Sequence, residues 1–309
     1  MYFPILRGRQ FELLALRELL NKGVLSNQVI PIIEPVKVST TFVKTIETFT
    51  KKNRNLVVIR NPKVGSWNKE IEKDINSSIK TFMENIGNNT NVIFAYYLDE
   101  NIKYNIEKDD KKVQDIILIC DSQNYLNTYE TYFHDKTPLY NLVPDRRDFR
   151  RKIEKNLVIC EDHFNKKNRN VDYYDIKTEF FSSDHKYYKK DGYEGFSDFS
   201  IIGKDYNETG FAPYAVAIHI LYFDSEEDLQ VAHFVSETND DITNPAGKFA
   251  EAVQKLVSWN KEQKLDTIGM KAFEKDYQTK NYPGLGVIKK YSLMHHLELI
   301  SNLLDGEKK

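Results

Sequence analysis

The sequence is poor in cysteine and contains no long uninterrupted apolar run. Its 309 residues include 2 cysteines, Cys120 and Cys160, which are too few for a disulfide framework. Each lies inside a short apolar run, where a small buried side chain fits. Arg7, Arg9 and Glu12 interrupt the N-terminal stretch, and no run approaches the length of a membrane span. We therefore expect a cytoplasmic protein with no signal peptide and no membrane partner.

Charge of one sign is not in excess either. The chain carries 44 lysines and arginines against 46 aspartates and glutamates, which gives a formal charge of −2. A nucleic-acid backbone is bound through a concentrated positive field, so nucleic acid is not favoured as a partner. The short basic stretches Arg146–Arg151 and Lys166–Arg169 are interleaved with acids or asparagines, which is typical of a solvated surface.

Familiar catalytic motifs are also missing from the sequence. It has no nucleophile elbow, no glycine loop that cradles phosphate, no zincin helix and no paired-cysteine motif. No cofactor is therefore indicated by a motif, and the pattern of charged residues is the remaining indication of the reaction.

The sequence does contain a recurring pattern in which short apolar runs each end on a charged residue. Such runs alternate with segments of helical periodicity, which favours a parallel sheet with crossover helices. We predict a TIM-barrel-like α/β fold; an open doubly wound sheet has the same rhythm, but the glycine-rich turn of many such folds is missing. The predicted strands are Tyr2–Leu6, Val29–Ile33, Leu56–Ile59, Val92–Leu98, Ile116–Cys120, Pro138–Val143, Leu157–Cys160 and Ser197–Ile202.

The rhythm changes in the last third of the chain. Ala215–Phe223 and Leu229–Val235 read as an antiparallel hairpin joined by an acidic turn, so that Phe223 faces Leu229. This register places His219 opposite His233, where cross-strand packing is favoured over an incomplete metal site. We predict one barrel-like domain over 1–309, with a β-hairpin insertion over 206–242 and C-terminal helices over 243–309.

Several short motifs resemble those of the bacterial and phage "beta protein" family. The matching segments are Tyr2–Glu12, Ile32–Pro35, Gly195–Phe199, His233–Phe234 and Gly247–Phe249. The resemblance covers most of the chain, with a weaker match in the middle. It implies a barrel fold, and it implies a setting in anti-phage defence because some members occur among genes suspected of that role.

The charges at the strand ends are the candidate site, because the carboxyl ends of barrel strands meet at one face. Arginines there suit an anionic ligand, and clustered carboxylates suit a divalent metal or proton transfer. His163 follows a strand end and is the candidate general base. We predict catalytic roles for Glu34, Asp121, Glu161 and His163, ligand-binding roles for Arg7, Arg9, Arg60 and Asp198, and metal ligation by Glu34, Asp121 and Glu161.

Two functions fit this pattern. The first is a hydrolase or phosphodiesterase that acts on a phosphorylated or nucleotide-like ligand. The alternative is a non-catalytic sensor or scaffold that binds a partner protein in a defence system. Unpaired carboxylates in an open cleft indicate the enzyme, whereas strand-end charges that pair with one another indicate the sensor or scaffold.

Overall fold

The computed structural model describes residues 1–73, 77–208 and 213–306. The chain divides into two compact units. The first unit contains Met1–Leu13, Asn27–Asp162 and Asp184–Phe199, and the second contains Leu14–Ser26, His163–Ser183 and Ser200–Lys309. The predicted single domain, with its insertion over 206–242 and its helical tail over 243–309, stays a prediction, and both ranges include residues outside the described part.

Eleven strands are described, and their bounds agree with most of the predicted apolar runs. The strands are β1 (Ile5–Leu6), β2 (Ile32–Ile33), β3 (Leu56–Ile59), β4 (Val92–Tyr97), β5 (Ile116–Ile119), β6 (Tyr140–Val143), β7 (Leu157–Glu161), β8 (Thr178–Ser182), β9 (Gly195–Asp198), β10 (Ala217–Phe223) and β11 (Leu229–Val235).

The helices that follow or precede these strands range from about one turn to more than five turns. They are α1 (Gln10–Lys22), α2 (Thr40–Lys51), α3 (Trp67–Glu72), α4 (Ser77–Asn85), α5 (Ile102–Lys108), α6 (Leu126–Phe133), α7 (Arg147–Arg150), α8 (Asp184–Tyr187), α9 (Pro245–Gln263), α10 (Ile268–Thr279) and α11 (Leu285–Leu304). Within the described ranges, no helix combines the length and the apolar character that a membrane crossing requires.

The first unit is a nearly closed parallel barrel, which confirms the predicted fold class. Its 8 strands follow the order β1-β2-β3-β4-β5-β6-β7-β9, and every neighbouring pair is parallel. A bridge between Tyr2 and Phe196 joins the two outer strands, with the Phe3 amide donating to the Phe196 carbonyl at 2.9 Å. The open doubly wound sheet is therefore not the fold.

The barrel interior is filled by apolar side chains from alternate strand positions, because successive residues of a strand face opposite sides. This buried cluster consists of Phe3, Ile5, Ile30, Ile32, Val57, Ile59, Ala95, Tyr97, Ile117, Ile119, Leu142, Val158 and Phe199. It fixes which strand-end residues face the interior and which face the surrounding helices.

The last barrel strand begins and ends earlier than predicted. The sequence favours a strand over Ser197–Ile202, whereas the structure has β9 over Gly195–Asp198 and a 3₁₀ turn over Ser200–Ile202. Ser200 has a φ of 52°, which lies in the left-handed region and ends the extended backbone. The prediction of Ser197–Ile202 as a continuous strand is wrong for this reason.

The second unit contains a 3-stranded antiparallel sheet in the order β10-β11-β8. The hairpin register is confirmed, since Phe223 pairs with Leu229 and His219 pairs with His233. One sheet face packs against α9, α10 and α11 through a buried cluster that includes Ile218, Phe234 and Phe249. Strand β8, which pairs with β11, was not predicted.

Candidate functional site

The strand-end charges of the barrel separate into two groups by the direction of their side chains. Arg7, Glu34 and Asp121 each lie two positions beyond an interior residue, so they face the barrel interior at the carboxyl ends of the strands. We call this region the inner end of the barrel. Arg60, Glu161 and Asp198 are out of phase with the interior positions and face outward. The inner residues that set this phase are Ile5, Ile32, Ile119, Ile59, Val158 and Phe199.

Glu34 is fully buried at the inner end and carries three hydrogen bonds. Its Oε2 accepts from the Arg7 guanidinium and, at 2.9 Å, from the Tyr97 hydroxyl, while its Oε1 accepts from the Lys63 amide at 2.8 Å. The Arg7 charge compensates the carboxylate, which a buried acid requires. Glu34 therefore holds Arg7, Tyr97 and the Lys63 backbone in place rather than presenting a free base.

The Arg7 and Tyr97 side chains are fixed by further contacts. The Arg7 guanidinium carbon lies 5.2 Å from the centre of the Phe199 ring, a cation–π distance. Burial, and then the Glu34 charge, raise the pKa of Tyr97 well above its ordinary value, so this phenol keeps its proton. The Arg7 guanidinium and the Tyr97 hydroxyl are thus both held on the Glu34 carboxylate.

Lys63 forms the most exposed ion pair of this group, and it was not predicted. Its Nζ lies 2.8 Å and 3.0 Å from the two Asp121 carboxylate oxygens and 4.3 Å from the centre of the Tyr97 ring. The Lys63 side chain is 41% exposed and that of Asp121 is 20% exposed. We call Arg7, Glu34, Lys63, Tyr97 and Asp121 the barrel-end cluster.

Asn61 holds the loop that carries Lys63. Its Nδ2 donates to the Tyr97 carbonyl and to Asp99 Oδ2, both at 2.9 Å, and its Oδ1 accepts from the Tyr97 amide at 2.8 Å. A short segment of sequence, Arg60 to Lys63, therefore joins the end of β3 to the end of β4. The only sequence signal for Lys63 is its position three residues after the predicted strand-end charge Arg60.

Arg60 does not join the barrel-end cluster, which corrects its predicted place. Its Nε and Nη2 donate to the two carboxylate oxygens of Asp109 at 2.9 Å and 2.8 Å, and its guanidinium lies 4.6 Å from the centre of the Phe94 ring. Burial acts to raise the pKa of Asp109, but the Arg60 hydrogen bonds and charge outweigh it and lower that pKa. The Arg60 guanidinium was predicted to bind a ligand, but its bidentate pair with Asp109 already occupies it.

Asp198 and Glu161 also face away from the inner end. Asp198 accepts from the Tyr2 hydroxyl at 2.7 Å, and Glu161 accepts from the Asp145 amide at 2.8 Å. His163 belongs to the second unit, where its ring centre lies 5.5 Å from that of Phe181. The prediction that Asp198 and Glu161 gather at the inner end of the barrel is therefore corrected.

Glu12 lies in the first turn of α1, the helix that follows β1, and it too was not predicted as a site residue. Its carboxylate accepts from the Arg7 amide at 2.7 Å, and it also bonds to the backbone of Arg9, a half-buried residue. Glu12 is the third residue of α1, where an acid can reach back to the amides that precede the helix. Burial raises the pKa of Glu12 to about 7, although the Arg9 charge opposes the shift.

The predicted metal ligands do not fit a divalent cation. Both Glu34 oxygens are hydrogen-bonded, both Asp121 oxygens contact Lys63, and Glu161 faces outward. Over the ranges that the structure describes, no three His, Cys, Asp or Glu side chains group as metal ligands. The barrel-end cluster presents instead the Lys63–Asp121 ion pair as its most exposed part.

Comparison with protein-family models, with curated proteins and with solved structures gives no match to this chain. The resemblance to the "beta protein" family therefore stays a prediction.

Proposed function

We propose that the barrel is a non-catalytic sensor that binds a small phosphate-bearing ligand at Lys63. The observation that carries the proposal is the pairing of the inward charges, because a buried and saturated Glu34 is not free to act on a substrate. The Arg7–Glu34 pair is 6% and 0% exposed, whereas the Lys63 side chain is 41% exposed. Lys63 is thus the cation that a ligand reaches from solvent.

Binding would occur by exchange of ion-pair partners. An exposed ion pair such as Lys63–Asp121 contributes about 1 kcal/mol or less to stability, so a phosphate can displace the Asp121 carboxylate at small cost. The lysine then binds phosphate as a point charge. Tyr97 and the Arg7–Glu34 pair keep their positions, so the site is organised before the ligand arrives.

A hydrolase or phosphodiesterase is the second candidate, and the position of Asp121 favours it. When phosphate binds Lys63, the displaced Asp121 carboxylate lies beside the bound group and can accept a proton from an attacking water. The sensor remains the first choice because the other inward carboxylate of the barrel-end cluster, Glu34, is already bonded on both oxygens.

The test is calorimetric titration with inorganic phosphate and with a nucleoside 5′-monophosphate. We expect Lys63→Met to abolish binding, and Asp121→Asn to strengthen it about two- to fivefold because it removes the competing carboxylate. Lys103→Met is the matched control, since Lys103 is an exposed lysine on helix α5. Equal binding by the wild type and Lys63→Met would contradict the proposal.

The proposed partner and the proposed setting rest on the sequence. A partner protein in anti-phage defence follows from the family resemblance alone, and a cytoplasmic location follows from the sequence alone. Neither affects the calorimetric test.

A further inference from the structure

Three side chains in the second unit form a hydrogen-bonded chain across the sheet, one from each strand. Glu179 on β8 accepts from His233 on β11, with Oε1 and Nε2 3.1 Å apart. His233 Nδ1 lies 2.7 Å from Nδ1 of His219 on β10. We call these three residues the sheet relay.

The carboxylate fixes the tautomer of both imidazole rings. A carboxylate only accepts, so the proton between Glu179 and His233 lies on His233 Nε2, and His233 Nδ1 carries a lone pair. His219 must therefore place its proton on Nδ1 to complete the second hydrogen bond. The remaining nitrogen, His219 Nε2, then carries a lone pair.

The Glu179 end of the relay is anchored. Asn165 Nδ2 donates to Glu179 Oε2 at 3.2 Å, and Lys167 Nζ lies 3.9 Å from the same oxygen. Second groups of this kind orient a carboxylate that in turn orients an imidazole, the same logic that operates in a Ser-His-Asp triad.

At the other end of the relay, the His219 ring contacts two aromatic rings. The His219 ring centre lies 5.1 Å from that of Phe164 and 4.7 Å from that of Tyr173. His219 is partly exposed, and among the described residues its Nε2 has no hydrogen-bond partner. Burial, together with the charges of His233 and Lys289, lowers the pKa of His219 well below its ordinary value, so the ring is neutral near pH 7.

We propose that the sheet relay is an acyl-transfer site, with His219 Nε2 as its nucleophile and a small aromatic ester as its substrate. The lone pair of Nε2 adds to the ester carbonyl, and the carbon–oxygen bond breaks with its electron pair leaving on the aryl oxide. The acyl-imidazolium passes its Nδ1 proton to His233 Nδ1, where the Glu179 charge stabilises the imidazolium. The flanking rings of Phe164 and Tyr173 pack against the aryl group.

Hydrolysis of the acyl intermediate restores the relay. The hydroxyl of a water joins the acyl carbon, and the carbon–nitrogen bond breaks with its electron pair returning to Nε2. The proton on His233 goes back to His219 Nδ1, and the water's remaining proton leaves through Nε2 to solvent. Ester and water are thereby converted to a carboxylic acid, an aryl oxide and a proton. His219 is the catalytic residue, and His233 and Glu179 are positioning residues.

The test is hydrolysis of p-nitrophenyl acetate by the full chain, followed as release of p-nitrophenolate. We expect His219→Ala to reduce the rate to that of the uncatalysed reaction, and Glu179→Gln to slow it about tenfold or more. Added imidazole should restore rate to His219→Ala but not to Glu179→Gln. His134→Ala is the matched control and should keep the wild-type rate, because His134 lies on an exposed helix end.

A second measurement keeps the proposal testable if a variant does not fold. In the wild-type chain, diethyl pyrocarbonate should label His219 faster than His134. Labelling of His219 should also persist below pH 6, where an ordinary imidazole with a pKa of about 6.5 becomes protonated. Slower labelling of His219 than of His134, or an esterase rate unchanged in His219→Ala, would overturn the proposal. Phosphate binding at Lys63 is unaffected by either result.

Discussion

Glu12 and Glu34 are two buried carboxyl groups with different hydrogen-bond partners. Glu34 has the Arg7 guanidinium as a direct partner, and its two oxygens accept three hydrogen bonds. Glu12 accepts from backbone amides, and burial raises its pKa to about 7. At the scale of the residue, Glu34 is thus compensated by a full positive charge in contact, whereas Glu12 is held by backbone amides.

The raised pKa of Glu12 predicts a pH dependence of stability. A carboxyl that binds its proton more tightly when folded stabilises the protein fully below its unfolded pKa and loses that contribution as the pH rises through the folded pKa. For Glu12 the window runs from 4.5 to about 7. We expect the free energy of unfolding to fall by up to about 3 kcal/mol across this window from this group.

Urea unfolding at pH 5 and pH 8 measures the Glu12 contribution. Glu12→Gln keeps an amide oxygen for the backbone hydrogen bonds and has no titrating proton, so its difference between the two pH values should be smaller than that of the wild type. Glu47→Gln, on the exposed side of α2, is the control and should behave as the wild type. An identical pH dependence in the wild type and Glu12→Gln would show that Glu12 does not titrate in this window.

At the scale of the element, closure of the barrel depends on the strand pair β1 and β9. Gly195 begins β9, and a Cβ added there would lie 2.8 Å from the Met1 carbonyl oxygen and 2.9 Å from the Phe3 ring. Both distances are shorter than real carbon contacts, so the backbone must shift. The Phe196 amide, which donates to the Met1 carbonyl at 3.0 Å, lies directly beside this position.

We expect Gly195→Ala to open the β1–β9 edge and to destabilise the first unit by about 1–3 kcal/mol through overpacking. Hydrogen exchange monitors the opening, because the Phe3 and Phe196 amides should exchange faster in the variant. The β4 amide of Tyr97 is the internal reference and should change less. Unchanged protection of Phe3 and Phe196 would mean that the edge accommodates a methyl group.

The sequence predicted most elements but not the directions of the strand-end side chains. Barrel strands such as Leu56–Ile59 are buried on both faces, so their apolar runs are continuous and carry no alternation that marks the inner face. The sequence therefore could not separate Arg60, which faces outward, from Glu34, which faces inward. Strand β8 was missed because Thr178–Ser182 forms no apolar run and, among the described strands, pairs only with β11, with a register shift between Leu229 and Gln230.

In the second unit too, the sequence predicted a local pairing but not a contact with a distant segment. Hairpin register is local, so the pairing of His219 with His233 followed from the turn length alone. Glu179 lies on a strand from a distant part of the sequence, and nothing in the sequence near the hairpin indicates it. The sequence thus predicted the histidine pair but not the carboxylate that fixes its tautomers.

At the scale of the whole molecule, each of the two compact units carries its own candidate site. In the first unit, the barrel-end cluster pairs its buried charges and leaves Lys63 as the exposed cation. In the second unit, the relay of Glu179, His233 and His219 leads to a lone pair at Nε2. Variants at Lys63 and at His219 are therefore expected to change one activity each.

The central claim, that the barrel binds phosphate without turning it over, is tested most directly by phosphorus-31 NMR. A nucleoside 5′-monophosphate and a dinucleotide with one phosphodiester are each incubated with the wild-type chain. We predict a shifted or broadened ligand resonance that is lost in Lys63→Met, with no new phosphorus signal over hours. A new product resonance that disappears in Asp121→Asn would contradict the sensor and establish the hydrolase.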